Sequence, residues 1–252
     1  MSSVLKGIIR RVPVVGSTLA QIRRQPHETS VDYGERLKKL PVVGHFLFQL
    51  QPKEAETTAD YWERRYRSGG SSGGGSYDHR AEFKAAFLNQ FVAEHNVTSL
   101  IEHGCGDGAQ LALARYPQYL GLDVSHKAVE MCRASFAGDP TKKFLHVDAV
   151  EQGTVADLSM SLDVIYHLVE DQVYGAYMRK LFAAGKRFVI VFSSNMDQEW
   201  HRRHLRHRLF TAWVEQNEPE WCLESTVKNP YPYDPENEDY TSFADFYVFS
   251  RR

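Results

Sequence analysis

The feature that most constrains this chain is a short apolar strand at residues 99–102 that breaks into three alternating glycines, Gly104, Gly106 and Gly108. Glycine lets the backbone turn sharply and approach a ligand closely, because it has no Cβ atom. A helix is predicted directly after the turn, at residues 109–115, and the start of a helix presents unpaired N–H groups to a ligand. This arrangement predicts a cradle for a nucleotide-like molecule.

Strand-like and helix-like segments alternate after the glycine turn, which is typical of an α/β fold. The predicted strands lie at residues 99–102, 119–123, 144–148, 157–162 and 187–194, and the predicted helices lie at 81–94, 109–115, 126–136 and 171–184. Two further strand-like runs, 221–228 and 243–250, have no clear helix between them. We therefore expect a Rossmann-like, mostly parallel sheet with helices on both faces and an antiparallel pair at one edge.

Charge is distributed unevenly along a chain whose overall net charge is only −2. Residues 1–53 hold nine Lys or Arg and three Asp or Glu, and the motif Pro-Val-Val-Gly occurs twice, at 13–16 and 41–44. We predict that residues 1–56 form a basic amphipathic helical arm and that residues 57–252 form the ligand-binding domain. The arm either docks on an anionic membrane, an acidic polymer or a partner chain, or packs on its own domain or on the second subunit of a homodimer.

The three cysteines are odd in number and widely spaced, so they form neither a disulfide framework nor a zinc-binding pattern. A reducing compartment fits this cysteine usage best, and we expect a cytoplasmic protein. No apolar run approaches the length of about 20 residues that a membrane span needs. The balanced overall charge also gives no indication of nucleic acid binding.

A glycine- and serine-rich stretch, residues 68–76, separates two aromatic-rich helices predicted at 57–66 and 81–94. Its composition is typical of a flexible linker. Its position just before the glycine turn equally suits a mobile lid over a bound ligand. The sequence alone leaves both interpretations open.

Acidic residues at three predicted strand ends help to distinguish between candidate ligands. Asp123 lies about 20 residues after the turn, where a carboxylate can bind the ribose hydroxyls of either NAD or S-adenosylmethionine. Glu102 directly precedes the turn, where it suits the cationic amino group of a methionine moiety and would repel a pyrophosphate. Asp148 either accepts the exocyclic amine of adenine or caps a helix. The pattern therefore favours S-adenosylmethionine over a dinucleotide.

Two segments resemble motifs of the class I S-adenosylmethionine-dependent methyltransferases. Residues 101–108, Ile-Glu-His-Gly-Cys-Gly-Asp-Gly, are similar to the first motif of that family, and residues 156–168 are similar to its fourth-strand motif. The resemblance implies a seven-stranded sheet whose last strand is antiparallel. Residues 61–76 more loosely resemble a subgroup that methylates polysaccharides and small molecules. The cofactor-binding residues expected on this basis are Tyr66, Glu102, Gly104, Gly106, Gly108, Asp123, Val124, Asp148, Ala149 and Ser161.

His167 is the predicted general base, because it follows the fourth strand at the carboxyl edge where open α/β sheets bind ligands. Asp163, Tyr166 and Glu170 are expected beside it. Many members of the family have Glu-His where this chain has Tyr166-His167, and in some of them that Glu helps to hold a divalent metal. Asp163 and His167 keep the spacing, so a weakened Mg²⁺ site remains an alternative. The structural alternatives are a packed His167, a helix-capping Asp163 and a Tyr166 that only forms a wall.

Two further segments have open interpretations. Residues 200–208 follow the fifth predicted strand and contain three histidines at intervals of three. They either chelate a metal, hold an acidic or hydroxyl-rich substrate, or form a solvated basic helix. The aromatic loop at residues 231–240, together with Trp62 and Trp200, either stacks on sugar rings or forms a subunit contact.

These features together predict an O-methyltransferase that uses S-adenosylmethionine and His167 to methylate a hydroxyl group. The expected acceptor is a saccharide, a polysaccharide precursor or another small polar molecule, and a mannoside is a narrower hypothesis. The alternatives are an NAD-dependent oxidoreductase and a non-catalytic module that binds the cofactor.

Overall fold

The computed structural model describes residues 56–198, 200, 202 and 204–252. The α-helices are α1 (Thr58–Arg67), α2 (Asp78–Glu94), α3 (His126–Ser135), α4 (Asp171–Ala184) and α5 (Phe210–Asn217). The strands are β1 (Ser99–His103), β2 (Gln118–Asp123), β3 (Lys142–His146), β4 (Ala156–Leu162), β5 (Gly185–Ser193), β6 (Trp221–Val227) and β7 (Asp245–Arg251).

All seven of these strands form one sheet in the order β3-β2-β1-β4-β5-β7-β6. Strands β1 to β5 pair in parallel, whereas β7 runs antiparallel to both β5 and β6. The predicted Rossmann-like sheet with an antiparallel last strand is thereby confirmed. The strand order reverses between β1 and β4, and ligands of open α/β sheets bind at the carboxyl edge beside such a reversal.

Helices cover both faces of the sheet, and the side chains of β5 alternate between the two cores that result. Phe188, Ile190 and Phe192 belong to the core that includes residues of α2 and α3. Val189 and Val191, which alternate with them, belong to the core that includes residues of α4 and α5. A strand buried on both faces requires this kind of unbroken apolar run. Each such side chain contributes about 1.5–3 kcal/mol when fully buried.

Helix α2 corresponds to the helix predicted at residues 81–94, and its phenylalanines face the core. The buried residues are Ala81, Lys84, Ala85, Leu88, Phe91 and Val92. Phe83 and Phe87 are only partly buried against the same core. The buried face of the helix therefore includes a lysine, Lys84, that is 1% exposed. A charged group at such a position requires a partner, because burying an unpaired charge is costly.

The α-helix predicted at residues 109–115 is wrong, since this segment forms only a 3-10 turn at Leu111–Leu113. Pro117 contributes to this outcome, because a proline disfavours helical geometry in the residue before it. Asn89 of α2 supplies a substitute for the helical bonding, as its side-chain oxygen accepts from the Arg115 N–H at 2.7 Å. The glycine turn is therefore not followed by an α-helical N-terminus.

The predicted basic arm, residues 1–56, lies outside the described residues except for its last one, and so do both Pro-Val-Val-Gly copies. None of the helices in the described part of the chain combines the length and the apolar character that crossing a membrane requires.

Candidate active site

The glycine turn follows β1 and is hydrogen-bonded to the end of β2. Gly104 and Gly106 adopt positive φ angles of 86° and 58°, a region that favours glycine. The Gly106 N–H donates to Asp123 Oδ2 at 2.9 Å, and the Ser125 N–H donates to Oδ1 of the same carboxylate at 2.9 Å. A Cβ added at Gly106 would collide with the Ser72 hydroxyl. Asp123 therefore fixes the turn, and the missing side chain leaves room for the segment that covers it.

Two buried carboxylates flank this turn, and burial raises the pKa of both. Glu102 accepts a hydrogen bond from the Tyr119 hydroxyl at 2.5 Å, yet desolvation raises its pKa from 4.5 to about 7. Desolvation also raises the pKa of Asp123 to about 6, against the opposing effect of the N–H groups bonded to it. A ligand that offers a cation or hydroxyl donors would stabilise the charged forms. The amino group and the ribose hydroxyls of S-adenosylmethionine are such groups.

A cavity of about 670 Å³, which we call the turn cavity, opens beside these carboxylates. The predicted cofactor residues that line it are Tyr66, Glu102, Gly104, Gly106, Asp123 and Val124. Its volume lies within the range of roughly 300–1,000 Å³ that is typical of small-molecule sites. The structure thus brings together the larger part of the predicted cofactor set around one space.

The other four predicted cofactor residues lie outside the described lining of the turn cavity. Gly108 packs against side chains of α3. Ser161 is buried, and its hydroxyl lies 2.7 Å from that of a tyrosine of α4. Asp148 and Ala149 are exposed on a 3-10 turn, because β3 ends two residues before Asp148. A role of these four residues in cofactor binding stays a prediction.

A second cavity of about 290 Å³, which we call the aromatic cavity, adjoins the first. Its lining is rich in aromatic and basic side chains and includes Tyr61, Trp62, Trp200, Tyr233, Arg65 and Arg80. Four residues line both cavities, namely Trp62, Ser72, Asp163 and His167. Two adjoining cavities with a shared wall are what a group-transfer enzyme needs, because the donor of the group and its acceptor must be held side by side.

His167 lies at that boundary, and its ring meets the Trp62 ring edge-on with 5.0 Å between centroids. Its Nδ1 lies 3.3 Å from the His204 carbonyl oxygen. Because a carbonyl oxygen only accepts, Nδ1 carries the proton and Nε2 keeps its lone pair. Burial lowers the pKa of His167 from 6.5 to about 4. The imidazole is therefore neutral at pH 7 and able to accept a proton at Nε2.

Lys84 is a site residue that the sequence analysis missed. Its Nζ forms an ion pair with Asp163 Oδ2 at 2.6 Å, and the Tyr166 hydroxyl donates to the other oxygen of Asp163 at 2.8 Å. Asp163 has a φ angle of 61°, which is uncommon for a residue with a side chain. These bonds fix the start of the turn that carries His167. The sequence signal that could have identified this residue is the position of Lys84 among the apolar residues of the predicted helix.

The same contacts do not fit the predicted Mg²⁺ site on Asp163 and His167. One Asp163 oxygen faces an ammonium group and the other accepts from a hydroxyl, so hydrogen-bond donors occupy the positions that a hard cation would need. Among the residues that the structure describes, no group of three or more His, Cys, Asp and Glu side chains could hold a metal ion. The Mg²⁺ prediction is therefore not supported.

Glu170 lines the turn cavity directly before α4. Its carboxylate accepts from the Thr58 N–H at 3.1 Å and from the Thr58 hydroxyl at 2.7 Å. Glu170 thereby connects the start of α1 to the loop that carries His167. This position supports a role in holding the site together.

The glycine- and serine-rich stretch at residues 68–76 packs against the glycine turn. The Ser72 N–H donates to Asp107 Oδ2 at 2.8 Å, and the Asp107 N–H donates to Ser72 Oγ at 2.9 Å. The Tyr77 hydroxyl donates to the same Asp107 oxygen at 2.7 Å. A Cβ added at Gly75 would lie 2.8 Å from Asp163 Oδ2. The glycines here permit close approach, and the stretch lies where the lid interpretation requires it.

Residues 200–208, which we call the basic block, form no helix where the structure describes them. His207 is buried, with its Nδ1 2.7 Å from a serine hydroxyl just after β5. Arg208 pairs with Asp171 at 3.1 Å and also donates to backbone carbonyl oxygens of the loop before α4. His204 lines the aromatic cavity, and His201 lies outside the described residues. The block therefore secures the loop that carries the site, in contrast to the solvated helix considered above.

Comparison with known proteins agrees with this geometry. Residues 101–194 match the protein family described as "Methyltransferase domain", a segment that runs from β1 to the end of β5. No curated protein matches the chain. Magnesium protoporphyrin IX methyltransferase (ChlM) from Synechocystis PCC 6803, solved with bound S-adenosylhomocysteine, superposes with a TM-score of 0.56 at 18% identity, over 77% of this chain and 97% of that chain. The N-methyltransferase NodS from Bradyrhizobium japonicum WM9, in complex with S-adenosylhomocysteine, gives 0.58 at 14% identity, over 77% and 98%.

The glycine turn, the sheet order and the match over residues 101–194 identify a methyltransferase domain in this chain. The fold resembles that of class I S-adenosylmethionine-dependent methyltransferases. This finding favours the methyltransferase interpretation over the dinucleotide-dependent oxidoreductase. The similar structures include an N-methyltransferase and a porphyrin methyltransferase, so the fold is compatible with very different acceptors.

Proposed function

We propose that this protein is an O-methyltransferase acting on a hydroxyl group of a saccharide, a polysaccharide precursor or another small polar molecule. A mannoside is the narrower case. The observation that carries the proposal is the neutral imidazole of His167 at the boundary between the turn cavity and the aromatic cavity. An alcohol needs a base when it attacks, whereas amine and thiol acceptors need less help.

The turn cavity is the proposed cofactor site. Glu102 would accept from the amino group of S-adenosylmethionine, and Asp123 would accept from its ribose hydroxyls. Both carboxylates are buried and their pKa values are raised, so each gains from a cationic or hydroxyl partner. Tyr66, Val124 and the glycine backbone would form the surrounding wall.

The aromatic cavity is the proposed acceptor site. The bound cofactor supplies an electrophilic methyl group on a sulfonium leaving group. His167 Nε2 would take the proton from the acceptor hydroxyl as its oxygen forms a bond to the methyl carbon, and the carbon–sulfur bond breaks. Trp62, Trp200 and Tyr233 line the space and would hold the ring of the acceptor. The main contribution of the protein is alignment, since correct positioning removes a large part of the barrier.

The direct test incubates the full chain with S-adenosylmethionine carrying a deuterated methyl group and a panel of acceptors. The panel contains mannosides, other saccharides, small phenols, amines and thiols, and mass spectrometry locates the label. We expect transfer to oxygen of a hydroxylated acceptor. Cofactor binding without transfer to any hydroxylated compound, or transfer only to nitrogen, would contradict the proposal. Calorimetric titration with S-adenosylmethionine and with NADH checks the cofactor, and only the former is expected to bind.

We further propose that the enzyme works in the cytoplasm as a homodimer and that the basic segment at residues 1–56 contacts either the second subunit or an anionic membrane. The charge difference between this segment and the remainder supports a docking role. Light scattering of the full chain tests the dimer. Flotation with vesicles containing phosphatidylserine tests the membrane contact, which added salt should weaken.

A further inference from the structure

Two arginines that line the aromatic cavity, Arg65 and Arg80, have no acidic partner among the described residues. Arg65 donates from Nε to the Ser71 carbonyl oxygen at 2.6 Å and from Nη1 to the Tyr61 hydroxyl at 3.4 Å. Arg80 donates from Nη1 to the Thr241 carbonyl oxygen at 3.3 Å. Neither forms a salt bridge within residues 56–252 as far as these are described. Most donors of both guanidinium groups therefore remain for a ligand.

The acidic residues that line the same cavity already have cationic partners. Asp163 pairs with Lys84 at 2.6 Å, and Glu238 pairs with Arg202. The described lining therefore has an excess of positive charge that comes from Arg65 and Arg80. A partly enclosed, uncompensated charge is costly, so an anionic ligand in this cavity would be stabilised.

The charges of both guanidinium groups influence side chains at or beside the boundary between the two cavities, where methyl transfer is proposed. The charge of Arg65 contributes to the lowered pKa of His167, and the charge of Arg80 opposes the raised pKa of Tyr166. Arg65 also lies over the Trp62 ring, 5.6 Å from its centroid. A Cβ added at Gly74 would collide with the Arg80 guanidinium, so the glycine-rich stretch packs directly on this group. The two charges and the aromatic rings therefore share one space.

We propose that Arg65 and Arg80 bind an oxyanion group of the methyl acceptor, either a carboxylate or a phosphate. This inference rests on the proposed function, because it takes the aromatic cavity as the acceptor site. It narrows the acceptor to hydroxylated molecules that carry a carboxylate or a phosphate, so a saccharide or mannoside acceptor would be an acidic or phosphorylated derivative. Guanidinium groups suit both oxyanions, since their planar N–H pairs match the two oxygens of either group.

The test measures oxyanion binding to the full chain saturated with S-adenosylhomocysteine, by calorimetry. The probes are inorganic phosphate, glucuronate, glucose 6-phosphate and neutral glucose. We expect at least one oxyanion to bind about tenfold more tightly than glucose, and the preference to fall with added salt. Glucuronate against glucose 6-phosphate distinguishes a carboxylate site from a phosphate site.

The variant Arg65→Gln/Arg80→Gln should abolish the preference while leaving S-adenosylhomocysteine affinity within about twofold. Arg64→Gln is the matched control, because Arg64 is exposed and paired with Glu56. Since Arg65 also holds the Ser71 carbonyl, Arg80→Gln alone provides the comparison if the double variant does not fold. Oxyanion binding that is equal in wild type and in the arginine variants overturns the inference.

The outcome separates this inference from the proposed function. Methyl transfer to a neutral hydroxylated acceptor with the same KM in wild type and double variant would overturn the oxyanion site and leave the O-methyltransferase intact. Arginine-dependent oxyanion binding without methyl transfer to any hydroxyl would support the oxyanion site and overturn the proposed O-methyltransferase activity.

Discussion

The turn cavity and the aromatic cavity are built in opposite ways. The turn cavity takes its chemistry from one short segment, where Glu102, Gly104 and Gly106 follow one another, and from Asp123 on the adjacent strand. The aromatic cavity draws on α1, the glycine-rich stretch, the loop after β4, the basic block and the loop before β7. The first has buried acids whose ionisation is costly, and the second has two arginines, Arg65 and Arg80, that form no salt bridge with any described residue. If the two cavities bind cofactor and acceptor as proposed, cofactor recognition is local in the sequence and acceptor recognition depends on tertiary assembly.

The largest expected effect concerns His167, which belongs to both cavities. We expect His167→Gln to lower kcat by about 10³-fold, a typical contribution of a general base, while the affinity for S-adenosylmethionine stays within about twofold. Because burial lowers the pKa of His167 to about 4, the base is unprotonated above that pH. With S-adenosylmethionine saturating, so that Glu102 and Asp123 already have their ligand, the acid limb of wild-type kcat/KM for the acceptor should lie near pH 4, well below the ordinary histidine value of 6.5.

The matched control is His95→Gln, because His95 lies at the end of α2 and outside the described lining of both cavities. It should leave kcat unchanged. A His167→Gln variant with wild-type kcat, or with the same acid limb as the wild type, would remove His167 from the role of base. The boundary would then position the acceptor without taking its proton.

The second effect concerns the ion pair beneath the boundary. Lys84→Met leaves Asp163 partly buried without its cation, so we expect the free energy of unfolding to fall by about 3 kcal/mol, as is usual when one member of a buried pair is removed. Lys127→Met is the control, since Lys127 forms an exposed pair with Glu130 at 3.3 Å and should cost less than about 0.5 kcal/mol. Denaturant titration measures both. Equal losses would mean that the buried pair has no special structural role.

The difference between the two cavities also shows which parts of the fold and of the site can be predicted from the sequence. The mostly parallel sheet, the glycine turn and the acid at the end of β2 were predictable, because each depends on contiguous residues or on the alternation of elements. Lys84 was not, since its burial depends on an ion pair with Asp163, which lies 79 residues away in the chain. The helix predicted at residues 109–115 failed for a related reason, because a side chain of α2 takes over the backbone bonding. What depends on long-range packing was missed.

Glu102→Gln would separate stability from function inside the turn cavity. The folded pKa of about 7 lies above the unfolded value of 4.5, so the folded state binds more protons between those values and wild-type stability falls as pH rises through this range. The amide lacks this titration. We expect the variant to be more stable than the wild type at pH 8 by about 3 kcal/mol, with the difference vanishing near pH 4.

The same variant should bind S-adenosylmethionine about tenfold more weakly, because a neutral amide cannot match the cationic amino group. Thermal melting across pH and calorimetry at pH 8 measure the two effects. Asp157→Asn is the control carboxylate: it lies at the opposite end of β4 from the site, and the Thr98 hydrogen bonds lower its pKa. Unchanged cofactor affinity in Glu102→Gln would exclude the proposed contact with the amino group.

The smallest effect concerns the stretch that joins the two cavities. Tyr77→Phe removes a 2.7 Å hydrogen bond to Asp107. Because Asp107 also accepts from the Ser72 N–H, the glycine- and serine-rich stretch stays attached to the glycine turn. We expect the free energy that holds the stretch closed to fall by about 0.5–1 kcal/mol. If residues 68–76 act as a lid, the open form gains population, hydrogen exchange of these amides rises, and cofactor affinity falls two- to fivefold, as about 1 kcal/mol implies. Tyr240→Phe, at an exposed tyrosine of the loop before β7, should change neither quantity. Faster exchange with unchanged affinity would show that the stretch opens without controlling the cofactor, and no change in exchange would favour a fixed wall shared by the two cavities.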